Sequence, residues 1–411
     1  MEKSINSQYK PWLMLGLLFI IQLMIAFVGR SIAPLGALIG DSFQLSMSQI
    51  GMFPAALFLG QSLVSIPSGI ITDKIGSRKM IIAITIILSG SFFILSMSPS
   101  FILLLTLIVI AGIAYGSSHP TTNRGIIYWF PLNRRGTAMG IKQMGVTVGS
   151  ALAALVLLPI ANKLGWEYSV LIAAGSLLLT GIIVYFLYSE PNKVLEENSK
   201  KQAPSNNKRH FFQMLKHKAL LLVTFSAMLL SGSQMILNTF IILYTYERLG
   251  ISIVLAGVLL GIAEIGGSIG RVSWGVISDY VFKGKRIIVL LLISLLVAAT
   301  SIIVAALPYG TNFFIIASVV FVFGFIVSGF NGVWMNATTE LVHPSMSGFA
   351  TGISITFGSW GVILFPPIFG SIVDHTSSYT LGWSFVSFLM IISVMSLLLA
   401  MKLNRSPEEG R

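Results

Sequence analysis

The sequence predicts an all-α membrane protein of twelve spanning helices arranged as two pseudo-symmetric six-helix bundles. Three observations carry this. Hydrophobic residues make up 55% of the chain and charged residues 10%, a balance foreign to soluble domains. Apolar runs fall near residues 12–39, 47–72, 80–97, 102–130, 137–161, 168–188, 219–246, 253–278, 287–307, 312–341, 349–372 and 380–401, each close to the roughly 20 residues a helix needs to cross hydrocarbon. Finally, GIITDKIGSRK at Gly69–Lys79 returns in degraded form as GVISDYVFKGKR at Gly275–Arg286, and GTAMGI at Gly136 returns as GFATGI at Gly348. The second half therefore repeats the first. The runs are continuously apolar rather than alternating, and lipid leaves no partner for an open strand edge, so helices rather than a barrel follow.

In chain order, the polar start MEKSINSQYK precedes a first run of full spanning length, so no cleavable leader is expected. Residues 1–188 form the first bundle, 189–218 a polar linker and 219–411 the second bundle. The net charge is +12, but its distribution argues against nucleic acid. With the amino terminus inside, Lys3, Lys10, Lys74, Arg78, Lys79, Arg134, Arg135, the linker lysines, Lys283, Lys285, Arg286 and Lys402 all fall inside. Only Lys163 and Arg248 fall outside. This is the positive-inside asymmetry; both termini are expected in the cytoplasm and the chain in the cell membrane. The end of the linker, Lys208–Lys218, reads either as an amphipathic helix on the inner leaflet or as solvated chain. Gly145 and Gly149 have the G-x-x-x-G spacing of closely packed helices, and Pro366 with Pro367 bends the eleventh run. The chain has no cysteine, which excludes disulfides and thiolate sites. It has no G-x-x-x-x-G-K-[ST] phosphate loop either, so an ion or substrate gradient is the expected energy source. No cofactor, metal or enzymatic activity is expected, and the protein is expected to be a monomer.

Charge inside the spans is the functional signal, because it is costly in lipid. The cations are Arg30, Arg124, Lys142 and Arg271; against them stand Glu264 at depth and Glu340 near a span end. An electropositive interior is balanced most simply by an anionic substrate. Arg30 lies past the middle of the first span. Arg124 follows Asn123 in the fourth, and a guanidinium offers a planar fork of donors to a carboxylate. Glu264 and Arg271 lie seven residues apart, on one helix face and about 10 Å from each other. Arg271 is read either as a substrate contact or as a partner of Glu264 or Asp279. Glu264 and His119 are the candidate proton carriers. Lys142 is read either as snorkelling to the near interface or as facing the cavity. Gln234 and Asn238 of the seventh span are candidates for a hydroxyl-recognising wall.

The first loop motif closely resembles the G-x-L-x-D-R-x-G-R-R/K pattern of the major facilitator superfamily. Gly69, Asp73, Gly76, Arg78 and Lys79 fill it, with Lys74 where Arg is commoner. The resemblance implies the major facilitator fold, with Asp73 and Asp279 as gating carboxylates that bond neighbouring helix ends. The stretch TTNRGIIYWFPLNRRGTAMGIKQMG resembles the anion:cation symporter family and, less closely, nitrate/cyanate-type carriers; this implies that Asn123 and Arg124 contact an anionic substrate. Arg271 before Ser278 and Asp279 is similar to a carboxylate-binding arginine of oxalate- and monocarboxylate-type carriers. Two departures matter. The symporter family often has carboxylates beside the first-span and after the fourth-span arginine, whereas this chain has Gly29 in the first case and Leu132 and Asn133 in the second. Their proton-coupling role therefore does not transfer. Ser150 stands where proton-coupled drug exporters have Pro, and Ile108 where they have Arg. The expectation is proton-coupled symport of a small organic anion, plausibly a sugar acid, by alternating access. The alternatives are an inorganic-anion carrier for nitrate, nitrite or cyanate, and a proton-coupled multidrug exporter.

Overall fold

A computed structural model of the chain describes residues 2–190, 217–342 and 347–405. The linker reading at Lys208 and beyond, up to residue 216, lies outside the described residues. Twelve helices are long and apolar enough to cross a membrane, and this is a multi-pass membrane protein. Contacts divide the chain into two units, Met1–Phe43 with Ala56–Ala203 and Gln44–Ala55 with Pro204–Arg411. The contiguous halves expected from the sequence differ from this in one segment, residues 44–55, for a reason given below.

Unit 1 is built from α1 (Glu2–Gly29), α2 (Ile32–Phe43), α3 (Met47–Ile75) from Ala56 on, α4 (Ser77–Leu95), α5 (Phe101–Trp129), α6 (Leu132–Leu152), α7 (Leu158–Leu164) and α8 (Trp166–Leu187). The first span, Lys10–Phe43, is α1 and α2 separated by a break at Arg30–Ser31. Pro34 explains it: in an unbroken helix its nitrogen would have to donate to the Arg30 carbonyl, and proline has no N–H. The ladder resumes at Leu35, whose amide donates to the Ser31 carbonyl at 3.1 Å. Between α6 and α7 the fifth span passes through a π-helical turn, Ala153–Leu157, ahead of Pro159. The missing amide of that proline again shifts the ladder.

The α1–α6 pairing rests on the G-x-x-x-G pattern. A side-chain carbon at Gly145 would lie 2.9 Å from the Phe19 carbonyl oxygen, and one at Gly149 would lie still closer to that of Leu23. Only glycine lets these two backbones approach so far. Lys142 shares that face, since the pattern 142, 145, 149 follows the helical repeat.

Unit 2 contains α9 (Lys218–Glu247), α10 (Ile253–Val276), α11 (Arg286–Ala305), α12 (Phe313–Val327), α13 (Phe330–Glu340), α14 (Ser347–Thr376) and α15 (Tyr379–Arg405). A π-helical turn, Ile277–Val281, ends the eighth span, and the tenth is interrupted between α12 and α13 at Ser328–Gly329. Residues 44–55 group here because the Asp374 carboxylate accepts from the Met47 and Ser48 amides at 2.7 and 2.8 Å. Those amides open α3 and have no partner within the helix, so a carboxylate satisfies them and the positive end of the helix dipole together.

Candidate functional site

The buried polar residues of unit 1 are organised by α5, whose two faces serve different purposes. Tyr115 is the midpoint of the helix, and Tyr115, His119 and Asn123 follow at four-residue spacing on one side. The Tyr115 hydroxyl accepts from Arg30 Nε at 3.1 Å. His119 meets the Tyr115 ring edge-on with centroids 6.2 Å apart, within electrostatic reach of both Lys142 and Arg30. One turn further, Asn123 Oδ1 accepts from Lys142 Nζ at 2.8 Å. Behind this stripe, Gln22 of α1 is fully buried. Its amide donates to Ser118 Oγ at 3.4 Å and accepts from Thr122 Oγ1 at 3.0 Å, which fixes α1 on α5. Arg30, His119 and Asn123 keep partial solvent exposure, while Lys142 is only 2% exposed.

The opposite face of α5 meets the motif loop. Thr121 bonds Thr72 at 3.1 Å, and its carbonyl accepts from Ser77 Oγ at 2.9 Å. Arg124 Nη1 pairs with Asp73 Oδ1 at 2.6 Å, its Nε donates to the Tyr128 hydroxyl, and its guanidinium lies 5.0 Å from the centre of the Tyr128 ring. The structure therefore does not bring Arg124 to Arg30 as the sequence reading supposed. Nine residues separate Tyr115 from Arg124, which is about 13 Å along the helix and about 180° around it. The second cation of the Arg30 stripe is Lys142 instead. The snorkelling assigned to Lys142 is corrected: its face is closed by α1, so the ammonium turns to Asn123.

Asp73, expected to bond helix ends, has Arg124 as its partner. Gly76 adopts φ 86°, a left-handed conformation that disfavours any side chain. The turn it makes lets the Arg78 amide donate to Glu190 Oε1 at 3.0 Å and Arg78 Nε to the Tyr185 carbonyl at 2.7 Å. Lys79 is exposed, and open space surrounds Gly69 where a side chain would begin.

In unit 2, Asn238 Nδ2 donates to Glu264 Oε1 at 3.0 Å, and both residues are buried. Gln234 donates to Ser328 Oγ at 3.1 Å and accepts from Asn331 at 3.3 Å. Arg271 Nε donates to the Ser328 carbonyl at 3.4 Å, in the interruption of the tenth span. Asp279, one of the partners considered for Arg271, pairs with Arg286, which also holds Glu340 at 3.2 Å. The sequence reading did not single out Ser328. The Ser328–Gly329 interruption is the local signal that a carbonyl is available there.

Buried cations and amides on interrupted helices are the expected furniture of a transport site, and comparison with known proteins agrees. Over 380 residues the chain is 26% identical to the probable sulfoacetate transporter SauU of Cupriavidus necator, covering 87% of this chain and 86% of that one. It is 23% identical to the hexuronate transporter of Bacillus subtilis, covering 87% of each. The fold matches a bacterial homologue of the human lysosomal transporter Spinster, crystallised inward-facing and unoccupied, with a TM-score of 0.77 at 16% identity; 96% of this chain and 97% of that one are covered. The profile of the Major Facilitator Superfamily matches residues 18–366, and the chain belongs to that superfamily, as a secondary transporter of a small substrate rather than an enzyme.

Proposed function

We propose that this transporter takes up a small organic anion, a carboxylate of the sugar-acid kind, in symport with a proton, with both termini on the cytoplasmic side of the cell membrane. The observation that carries the anion reading is Lys142. A side chain 2% exposed holds its ammonium against a neutral amide, and among the described residues no carboxylate pairs with it. A buried charge without a counter-charge is strongly unfavourable, so a bound anion is its natural complement. Arg30 supplies the second cation, and the two are joined by the Tyr115–His119–Asn123 stripe, about 12 Å of helix axis. A short chain with an acid group at one end and hydroxyls along its length matches cations at the ends and neutral donors between them. That the relatives named above are described as a probable sulfoacetate transporter and a hexuronate transporter supports the same class.

Gln234, Asn238 and Arg271 are the second unit's proposed contacts. Arg124, engaged by Asp73, belongs in this reading with Gly69, Gly76, Arg78, Lys79 and Asp279 as part of the gating machinery. Glu264 and His119 are the candidates for the coupling proton expected from the sequence alone; the surroundings of Lys142 favour that residue instead.

The test is uptake of radiolabelled D-glucuronate into proteoliposomes under an acid-outside pH gradient, with sulfoacetate and nitrate as competitors. Concentrative uptake blocked by sulfoacetate and not by nitrate is expected. Removing a buried binding charge costs at least about 2 kcal/mol, so Lys142→Met should slow uptake by about 30-fold or more. No wild-type uptake of either organic anion, or transport of nitrate alone, would refute the reading.

A further inference from the structure

Resting on the organic-anion reading above, we propose that Lys142 itself carries the coupling proton, bound as an ammonium when the anion occupies the site and released when the anion leaves. Two features of unit 1 converge on this residue. Lys142 is buried where α6 closes on α1 through Gly145 and Gly149, which leaves its Nζ a single hydrogen-bond partner among the described residues, Asn123. That partner is an amide oxygen, which can accept from an amine as well as, more strongly, from an ammonium. The site is thus built to hold either form of the lysine in one position.

Charge balance does the coupling. An ammonium alone in this seam is an uncompensated buried charge, and an anionic group beside a neutral amine there is another, because partly exposed Arg30 stands at the far end of the stripe, about 12 Å of helix axis away. Anion and ammonium together are a neutral pair, which is the combination a low-dielectric interior accepts. Anion and proton therefore load and leave together. The chemistry is one proton transfer: on the loading side the Nζ lone pair takes a proton from hydronium, an O–H bond breaking as the N–H bond forms and water leaving, and on the release side the N–H bond breaks and water takes the proton back as hydronium.

The other groups facing Lys142 fit this role. Arg30 on α1 is a permanent cation at the far end of the stripe and takes no part in proton exchange. His119 on α5 is within electrostatic reach of both Arg30 and Lys142. Tyr115 is engaged by Arg30 and Arg124 by Asp73. On α6 itself, Arg135 lies two turns away and donates to the Phe130 and Ile127 carbonyls. Glu264 belongs to unit 2, where its carboxylate accepts from Asn238.

The deciding measurement is proton uptake by the purified protein in weakly buffered detergent with a pH-indicating dye, on addition of D-glucuronate or sulfoacetate. Wild type should take up about one proton for each anion bound. Lys142→Arg keeps the charge but has no neutral form; it should bind more weakly with no proton uptake, and in proteoliposomes a pH gradient should no longer raise its accumulation above the no-gradient level. Glu264→Gln, in unit 2, should keep the proton uptake. Persistence of the signal in Lys142→Arg overturns the proposal, as does its loss in Glu264→Gln with anion binding retained, even if the lysine variant fails to fold. Wild type that binds neither anion would instead refute the organic-anion reading, and wild type that binds without proton uptake would refute the proton alone.

Discussion

Arg124 and Lys142 are both buried cations on unit 1 helices, and they differ in what neutralises them. Arg124 has the Asp73 carboxylate at 2.6 Å; Lys142 has an amide. The first is a pair already made; the second is completed, in the proposed function, by the substrate anion. The Asp73 side chain is 60% exposed, so the pair is worth about 1 kcal/mol rather than the several of a dry ion pair. Its role is then testable by a double-mutant cycle. Asp73→Ala and Arg124→Ala should each slow uptake, and the double variant should be no slower than Arg124→Ala alone, because residues acting through one bond are not additive. Additive losses in the initial rates would return Arg124 to direct substrate contact.

At the scale of the helix, the seam between α1 and α6 sets where Lys142 can point. A valine at Gly149 would put carbon into the backbone of Leu23. Overpacking of this kind costs about 1–3 kcal/mol, so Gly149→Val should lower the melting temperature in detergent and reduce anion binding with it. Unchanged melting would mean that the two helices are not in contact there. The same seam shows how much was legible in the sequence. The spans, the repeat and the charged candidates could be read directly, since a twenty-residue apolar run has few alternatives in lipid. Helix faces were less accessible. Lys142, Gly145 and Gly149 share one face, which already argues that the lysine is covered; the snorkelling reading weighed only its distance from the span end. Arg124 was grouped with Arg30 by kind, although a position two and a half turns past the helix midpoint faces the other way. The Arg124–Asp73 and Lys142–Asn123 pairings join different helices, and periodicity within one helix carries no information about its neighbour.

For the molecule as a whole, the distribution of basic residues predicts orientation. Lys74 and Lys163 are both exposed and stand on opposite sides in the positive-inside arrangement. The native chain has no cysteine, so single cysteines at these positions report on an empty background. A membrane-impermeant maleimide added to intact cells should modify Lys163→Cys and leave Lys74→Cys unmodified until the cells are opened; the reverse pattern would invert the topology.

The interruption at Arg30–Ser31 bears on how the protein fits its bilayer. The first span is 34 residues long, about 51 Å as a straight rod, against a hydrocarbon layer of about 30 Å. A rigid rod of that length relieves its hydrophobic mismatch only by tilting as one piece, which would drag the guanidinium off Tyr115. With a joint between two shorter rods, the second, Ile32–Phe43, can lean as the membrane thickens or thins while the first keeps its footing. Sensitivity to lipid chain length is in this way kept apart from the Arg30–Tyr115 bond.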